Sequence, residues 1–194
     1  MNSSRRKSLI ALAALGCSGR LAAESSTRFK IDSAASKVRL LVQVVGIGQV
    51  VCEFDAIRGD IDFDPIGLAG SSQVQIDTSS LKMLDYPFTW LAQSREFLDT
   101  SKHPRASFAS SDLHFEGRSP VAITGDLTIK GVTRKERFAV TKLEQSKPTI
   151  AKRAGLKVEA YQQLSRSQFD ILGLTGLVRD LVKVELSLSA VPAH

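Results

Sequence analysis

The sequence predicts an all-β protein, a sandwich or barrel of antiparallel strands, on three observations. Apolar and polar residues alternate with a period of two in stretch after stretch from Phe29 onward. Turn-forming residues separate those stretches at short intervals. One composition regime, 43% apolar and 24% charged, runs through the 194 residues without a linker or repeat, so the strands form one domain.

The elements follow in order. Val38, Leu40, Val42 and Val44 alternate with Lys37, Arg39, Leu41 and Gln43, as in a strand with one buried face. Gly46-Ile47-Gly48 is then a hairpin turn. A dinucleotide fingerprint would need a third glycine where Val51 stands and a helix where a strand follows. Ile57, Gly59, Ile61 and Phe63 alternate with Arg58, Asp60, Asp62 and Asp64 until Pro65-Ile66-Gly67 breaks the run. Ser72, Val74 and Ile76 form the next set. Further strands are expected over 105–111, 121–129, 135–143, 155–163 and 181–191, with Lys130-Gly131 as a tight hairpin turn. One segment departs. Phe88, Leu91 and Leu98 sit at helical offsets, which predicts a short helical segment near 86–98, with Pro87 near its start and Asp99-Thr100-Ser101 near its stop.

Charge points to an address rather than a partner. The formal charge is +6, from 26 Lys/Arg against 20 Asp/Glu. Arg5, Arg6, Lys7 and Arg20 lie before residue 24; without them the balance is 22 against 20, near neutrality. Residues 1–7 are polar and basic, Leu9 to Leu15 are apolar, and small residues follow. That order reads as a secretory signal over 1–23, cut after Ala23, with an apolar run too short to span a bilayer. Ser4-Arg5-Arg6-Lys7-Ser8-Leu9 also resembles a twin-arginine signal, and Ala14-Leu15-Gly16-Cys17 faintly resembles a lipid-attachment site, the alternative being an anchor at Cys17. The expected location is the periplasm. After cleavage Cys52 is the single thiol, so no internal disulfide supports the domain. No transmembrane segment is expected in the mature chain.

Catalytic and metal constellations fail on the residues they need. His103, His114 and His194 have no ligand spacing, and there is no Gly-x-Ser-x-Gly elbow. Asp60-Ile61-Asp62-Phe63-Asp64 opens like a calcium loop. Pro65 then stands where the turn glycine belongs and Ser71 where the bidentate Glu belongs, so the carboxylates share the polar face of a strand. Lys130, Arg134, Lys135 and Arg137 read as a solvated hairpin, and no aromatic residues interleave with them as nucleic-acid binding would require. No metal and no cofactor is expected. The remaining feature is an excess of apolar strand face, which could line a packed core or a ligand cavity.

Several stretches form one ordered series of motifs. They are Phe29-Lys30-Ile31-Asp32-Ser33, then Val74-Gln75-Ile76-Asp77-Thr78-Ser79-Ser80-Leu81, and the fifteen residues from Ser94 to Phe108. The most specific is Ile123-Thr124-Gly125-Asp126-Leu127-Thr128-Ile129-Lys130-Gly131-Val132-Thr133. Lys152-Arg153-Ala154-Gly155 and Ser165-Arg166-Ser167-Gln168-Phe169-Asp170-Ile171 follow in order. In that order they resemble the YceI family of exported bacterial proteins, and the resemblance implies a domain over 28–192: a single antiparallel, extended, lipocalin-like β-barrel whose apolar interior holds an isoprenoid chain. The family's charged, His-bearing helix is replaced here by Pro87-Phe88-Thr89-Trp90-Leu91-Ala92-Gln93-Ser94.

The resemblance implies binding rather than catalysis, with an isoprenoid or quinone-like lipid as ligand and no nucleic-acid partner. An accessory module handing a quinone or small partner to a membrane electron-transfer protein is the alternative. An edge strand would permit a homodimer, though nothing in the sequence argues for one. The ligand-facing residues expected on the strands are Val42, Val44, Phe54, Ile61, Phe63, Val74, Ile76, Phe108, Leu127, Phe138, Val184 and Leu186. Phe97 and Phe169 are expected with them, and Phe88 and Trp90 at the mouth.

Overall fold

The computed structural model describes residues 26–84, 86–147 and 154–193. The expected signal with its cut after Ala23, the Cys17 anchor, Lys152-Arg153 and His194 lie outside the described residues. Eleven strands are present among those described, in the order β1 (Thr27–Ile31), β2 (Lys37–Val44), β3 (Gly48–Phe54), β4 (Ile57–Asp64), β5 (Ala69–Asp77) and β6 (Lys82–Met83). After the short helix α1 (Thr89–Gln93) come β7 (Arg105–Glu116), β8 (Ser119–Ile129), β9 (Val132–Ser146), β10 (Gly155–Ser165) and β11 (Val178–Pro192).

Eight of these strands close a ring, all antiparallel: β1-β4-β5-β7-β8-β9-β10-β11 and back to β1. The expected all-β barrel is the observed fold. The long β11 makes the closure. Near its end Ala190 to Pro192 pair with Ile31 to Phe29 of β1, while Val182 to Ser187 pair with Val42 to Lys37 of β2. The outer edge of β11 thus serves two strands, and β2-β3-β6 continues as a second wall beyond the point where β1 stops.

Alternation orients the wall. On β11, Val182, Val184, Leu188 and Ala190 are buried, while Lys183 and Glu185 pair outside at 2.7 Å. Lys157 and Glu159 do the same on β10 at 2.8 Å. These pairs stand in water and contribute little to stability; what they show is which face looks out. The Lys130-Gly131 hairpin has both residues at positive φ (51° and 79°), the geometry of a tight turn whose twist matches its strands. Gly59 fills a different need. A Cβ there would lie 1.9 Å from the Gln73 carbonyl oxygen, so β4 can approach β5 only without a side chain.

The core is uneven along the barrel axis. Where β1 closes the ring, Phe29, Ile57, Leu156 and Ala190 are buried and lie outside the cavity described below. This end is packed shut. The short helical segment expected near 86–98 is present as the single turn-and-a-half Thr89–Gln93. No side chain caps its start at Phe88, and the chain then folds into turns, with Asp99 at φ 47° donating its N–H to the Ser94 carbonyl at 2.8 Å. The helix stops at Ser94, whose backbone is extended (φ −67°, ψ 167°) and whose N–H donates to the Leu91 carbonyl.

Candidate functional site

The barrel encloses a cavity with about 380 Å³ accessible to the centre of a water molecule, many times the roughly 10–15 Å³ that seats one water. Its wall follows from the strand periodicity. Val42 and Val44 from β2, Phe54 from β3, Ile61 and Phe63 from β4, and Val74 and Ile76 from β5 face it. Phe108 of β7, Leu127 of β8, Phe138 of β9, and Val184 and Leu186 of β11 face it as well. Phe97 and Phe169 enter from the connecting segments, and Phe88 reaches it from the residue before α1. The Phe108 and Phe138 rings meet edge to face at 5.2 Å between centroids, a favoured arrangement that fixes both.

Trp90 is the exception among the expected residues. It is 66% exposed and is not part of the lining. Helix geometry explains this. Phe88, Leu91 and Ala92 share one face at offsets of three and four, and all three line the cavity, whereas residue 90 projects from another face.

The wall contains residues that sequence reasoning did not select. Val38 and Leu40 continue the alternating set of β2, so the signal for them was present. Leu113 and Ile171 come from a bulged strand and from a loop. Leu174 lies in that loop at φ 49°, where no periodicity operates.

Arg166 was also missed. It is 8% exposed, and its guanidinium donates to three backbone carbonyls: Ile171 at 2.7 Å, Val178 at 3.0 Å and Arg179 at 3.2 Å. Burial lowers its pKa, partly countered by Asp180. The planar fork suits it to clamp the 171–178 segment onto the barrel.

Polar groups on the wall are few and mostly engaged. The Thr78 hydroxyl donates to the His103 carbonyl at 2.7 Å, and Asp62 accepts from Ser71 at 3.3 Å. The buried Ser72 hydroxyl has no partner among the described residues. Burial pushes the Cys52 thiol up to about 11, so at neutral pH it is a small apolar surface rather than a nucleophile.

The three strand carboxylates are also engaged. Asp60 pairs with Arg28 at 3.2 Å, Asp62 takes the Ser71 hydroxyl, and Asp64 accepts the Ile66 and Gly67 N–H groups at 2.9 and 2.8 Å. Among the described residues no group of three or more His, Cys, Asp or Glu could hold a metal ion. No helix among them is long and apolar enough to cross a membrane.

Known proteins share this architecture. Among solved structures, Burkholderia cenocepacia BcnA superposes with a TM-score of 0.70 at 25% identity, covering 82% of this chain and 99% of that one. A polyisoprenoid-binding domain from Saccharophagus degradans superposes with a TM-score of 0.60 at 13% identity, covering 85% and 98%. At that identity it shows the fold alone. Protein YceI of Escherichia coli is 30% identical over 135 residues, 68% of this chain and 70% of its own length. The match to UPF0312 proteins of Vibrio cholerae, 29% identical, covers 58% of this chain and 61% of theirs. Residues 29–190 match the YceI-like domain, and the chain therefore belongs to the YceI-like family.

Proposed function

We propose that this protein is an exported, non-catalytic carrier that holds an isoprenoid-type lipid in the barrel interior, for transport, storage or sequestration in the periplasm. The observation that carries the proposal is the cavity itself: a long apolar wall drawn from nearly every strand, with its few polar groups bonded elsewhere or isolated. Burying a methylene contributes about 0.8 kcal/mol, so each five-carbon unit offers roughly 3–4 kcal/mol before the cost of ordering the chain. A few units held against Phe108, Phe138 and Val184 supply the affinity, and no acid–base pair is needed. The Saccharophagus degradans domain is described as polyisoprenoid-binding, and the same chemistry suits this cavity.

The test is to purify the protein from a bacterial host, extract it with organic solvent and analyse the extract by mass spectrometry. Near-stoichiometric lipid with a repeating five-carbon mass is expected. A polar small molecule as the stoichiometric occupant, or no lipid after isoprenoid-rich growth, would overturn the proposal.

A further inference from the structure

The mouth of the barrel carries more exposed apolar surface than holding a chain inside requires. Three segments without a single charged residue meet there: 43–52, 86–94 and 171–177. One backbone hydrogen bond joins the first segment to the third, and two more hold the residues flanking the second, Leu84 before it and Glu96 after it, against the other two. Val45 N–H donates to the Leu177 carbonyl at 2.8 Å, Gly173 N–H to the Glu96 carbonyl at 2.9 Å, and Leu84 N–H to the Val51 carbonyl at 3.0 Å. Val45 and Ile47 are exposed on the first segment, Phe88 and Trp90 on the second, and Leu172, Leu174 and Leu177 on the third. Leu84 is exposed beside them. Elsewhere among the described residues, the large apolar side chains left exposed are Ile66, Tyr161, Leu181 and Val191.

Two features identify the occupant. Ile47, Phe88 and Leu174 belong both to the rim and to the cavity lining, so rim and cavity are one continuous apolar surface. A hydrocarbon ligand resides in a bilayer, and its passage through water costs about 0.8 kcal/mol per methylene. A mouth whose lips are as apolar as its interior avoids that passage only if the lips touch the bilayer. The residue types agree, since Trp and Phe beside branched aliphatics favour the membrane interface.

We propose that this rim docks on a lipid bilayer and seats the barrel mouth against the acyl chains, so that ligand passes between membrane and cavity without entering water. The proposal rests on the lipid-carrier function above, and the two can fail separately. Trp90 is the only tryptophan in the chain, so its fluorescence reports the rim alone.

The full chain is titrated with phosphatidylcholine vesicles, with and without brominated acyl chains, and Val45→Glu and Leu172→Glu are compared with it. Both side chains lie outside the cavity lining. A blue shift of Trp90, quenching by the bromines, and vesicle partition weakened about ten-fold or more in each variant are expected, with the lipid content of the cavity unchanged. Trp90 emission that vesicles leave unchanged overturns docking. So does binding that needs anionic lipid and vanishes at high salt with Trp90 unquenched, as does a blue shift that grows with protein concentration without vesicles, which would assign the rim to a second copy. Lipid in the cavity without a vesicle response removes docking alone. Quenching on vesicles with a cavity that never holds lipid supports docking and removes the carrier.

Discussion

Cys52 shows how a side chain's role depends on its surroundings. It sits on β3 between Leu40 and Met83 across the sheet, 5% exposed, with its thiol at about 11. At pH 8 about one thiol in a thousand is then ionised, so alkylation by a small reagent should run far slower than for a free thiol. Because the side chain lines the cavity, removing bound lipid should speed the reaction and reloading should slow it, as followed by intact-protein mass spectrometry. A rate indifferent to lipid would show that the ligand does not reach this wall. Arg166 makes the complementary point. A buried arginine with no carboxylate in contact among the described residues would ordinarily be costly, and here three carbonyls, from a loop and the start of the strand after it, satisfy it.

At the scale of elements, the β2-β3 wall is held outside by Glu53. Its carboxylate accepts from Lys37 and, at 2.9 Å, from Arg39. Burial raises its pKa, but the two hydrogen bonds and charges more than offset this, and the group lies below the usual carboxylate range. The sign follows. The pair contributes fully above the unfolded value of about 4.3, and the contribution is lost as pH falls through the lower folded value. Glu53→Gln should therefore cost about 1 kcal/mol at pH 7, since Lys37 and Arg39 stand half in water and are screened. That difference should shrink towards zero on acidification below pH 4, as measured by denaturant unfolding.

Element type was legible wherever the period was two. The strand set of Val38 to Val44, the break at Pro65, and the Lys130-Gly131 turn all stand where periodicity and turn chemistry put them. The 86–98 segment was less legible. Its helical spacing points to a short helix, and only the extended backbone of Ser94 (ψ 167°) shows where that helix ends.

At the scale of the whole molecule, the barrel is asymmetric by construction. β1 is five residues long and closes only one end against a fifteen-residue β11, which leaves a packed base and a lipophilic mouth. Filling the hollow should then separate capacity from stability. Ala160 is a small, buried side chain of β10 on the cavity wall. Ala160→Phe should cut bound lipid at least several-fold while leaving the thermal midpoint unchanged or raised, because the ring fills empty space rather than packed core. A large fall in midpoint with undiminished lipid would mean that the site is ordinary core.

The sequence by itself determined the strands, the inward face of each and most of the turns, because side-chain direction along a strand is a local, period-two property. The inward residues expected along the strands accordingly line one cavity. Only the tertiary structure decided that the ring closes through β1 at one end, that Arg166 clamps a loop from inside, and that three distant uncharged segments form a single rim. Those outcomes depend on which strand edges and loops meet across long stretches of chain. Whether an apolar interior is solid or hollow depends on the same closure, since ring size and strand stagger set the space that the side chains must fill.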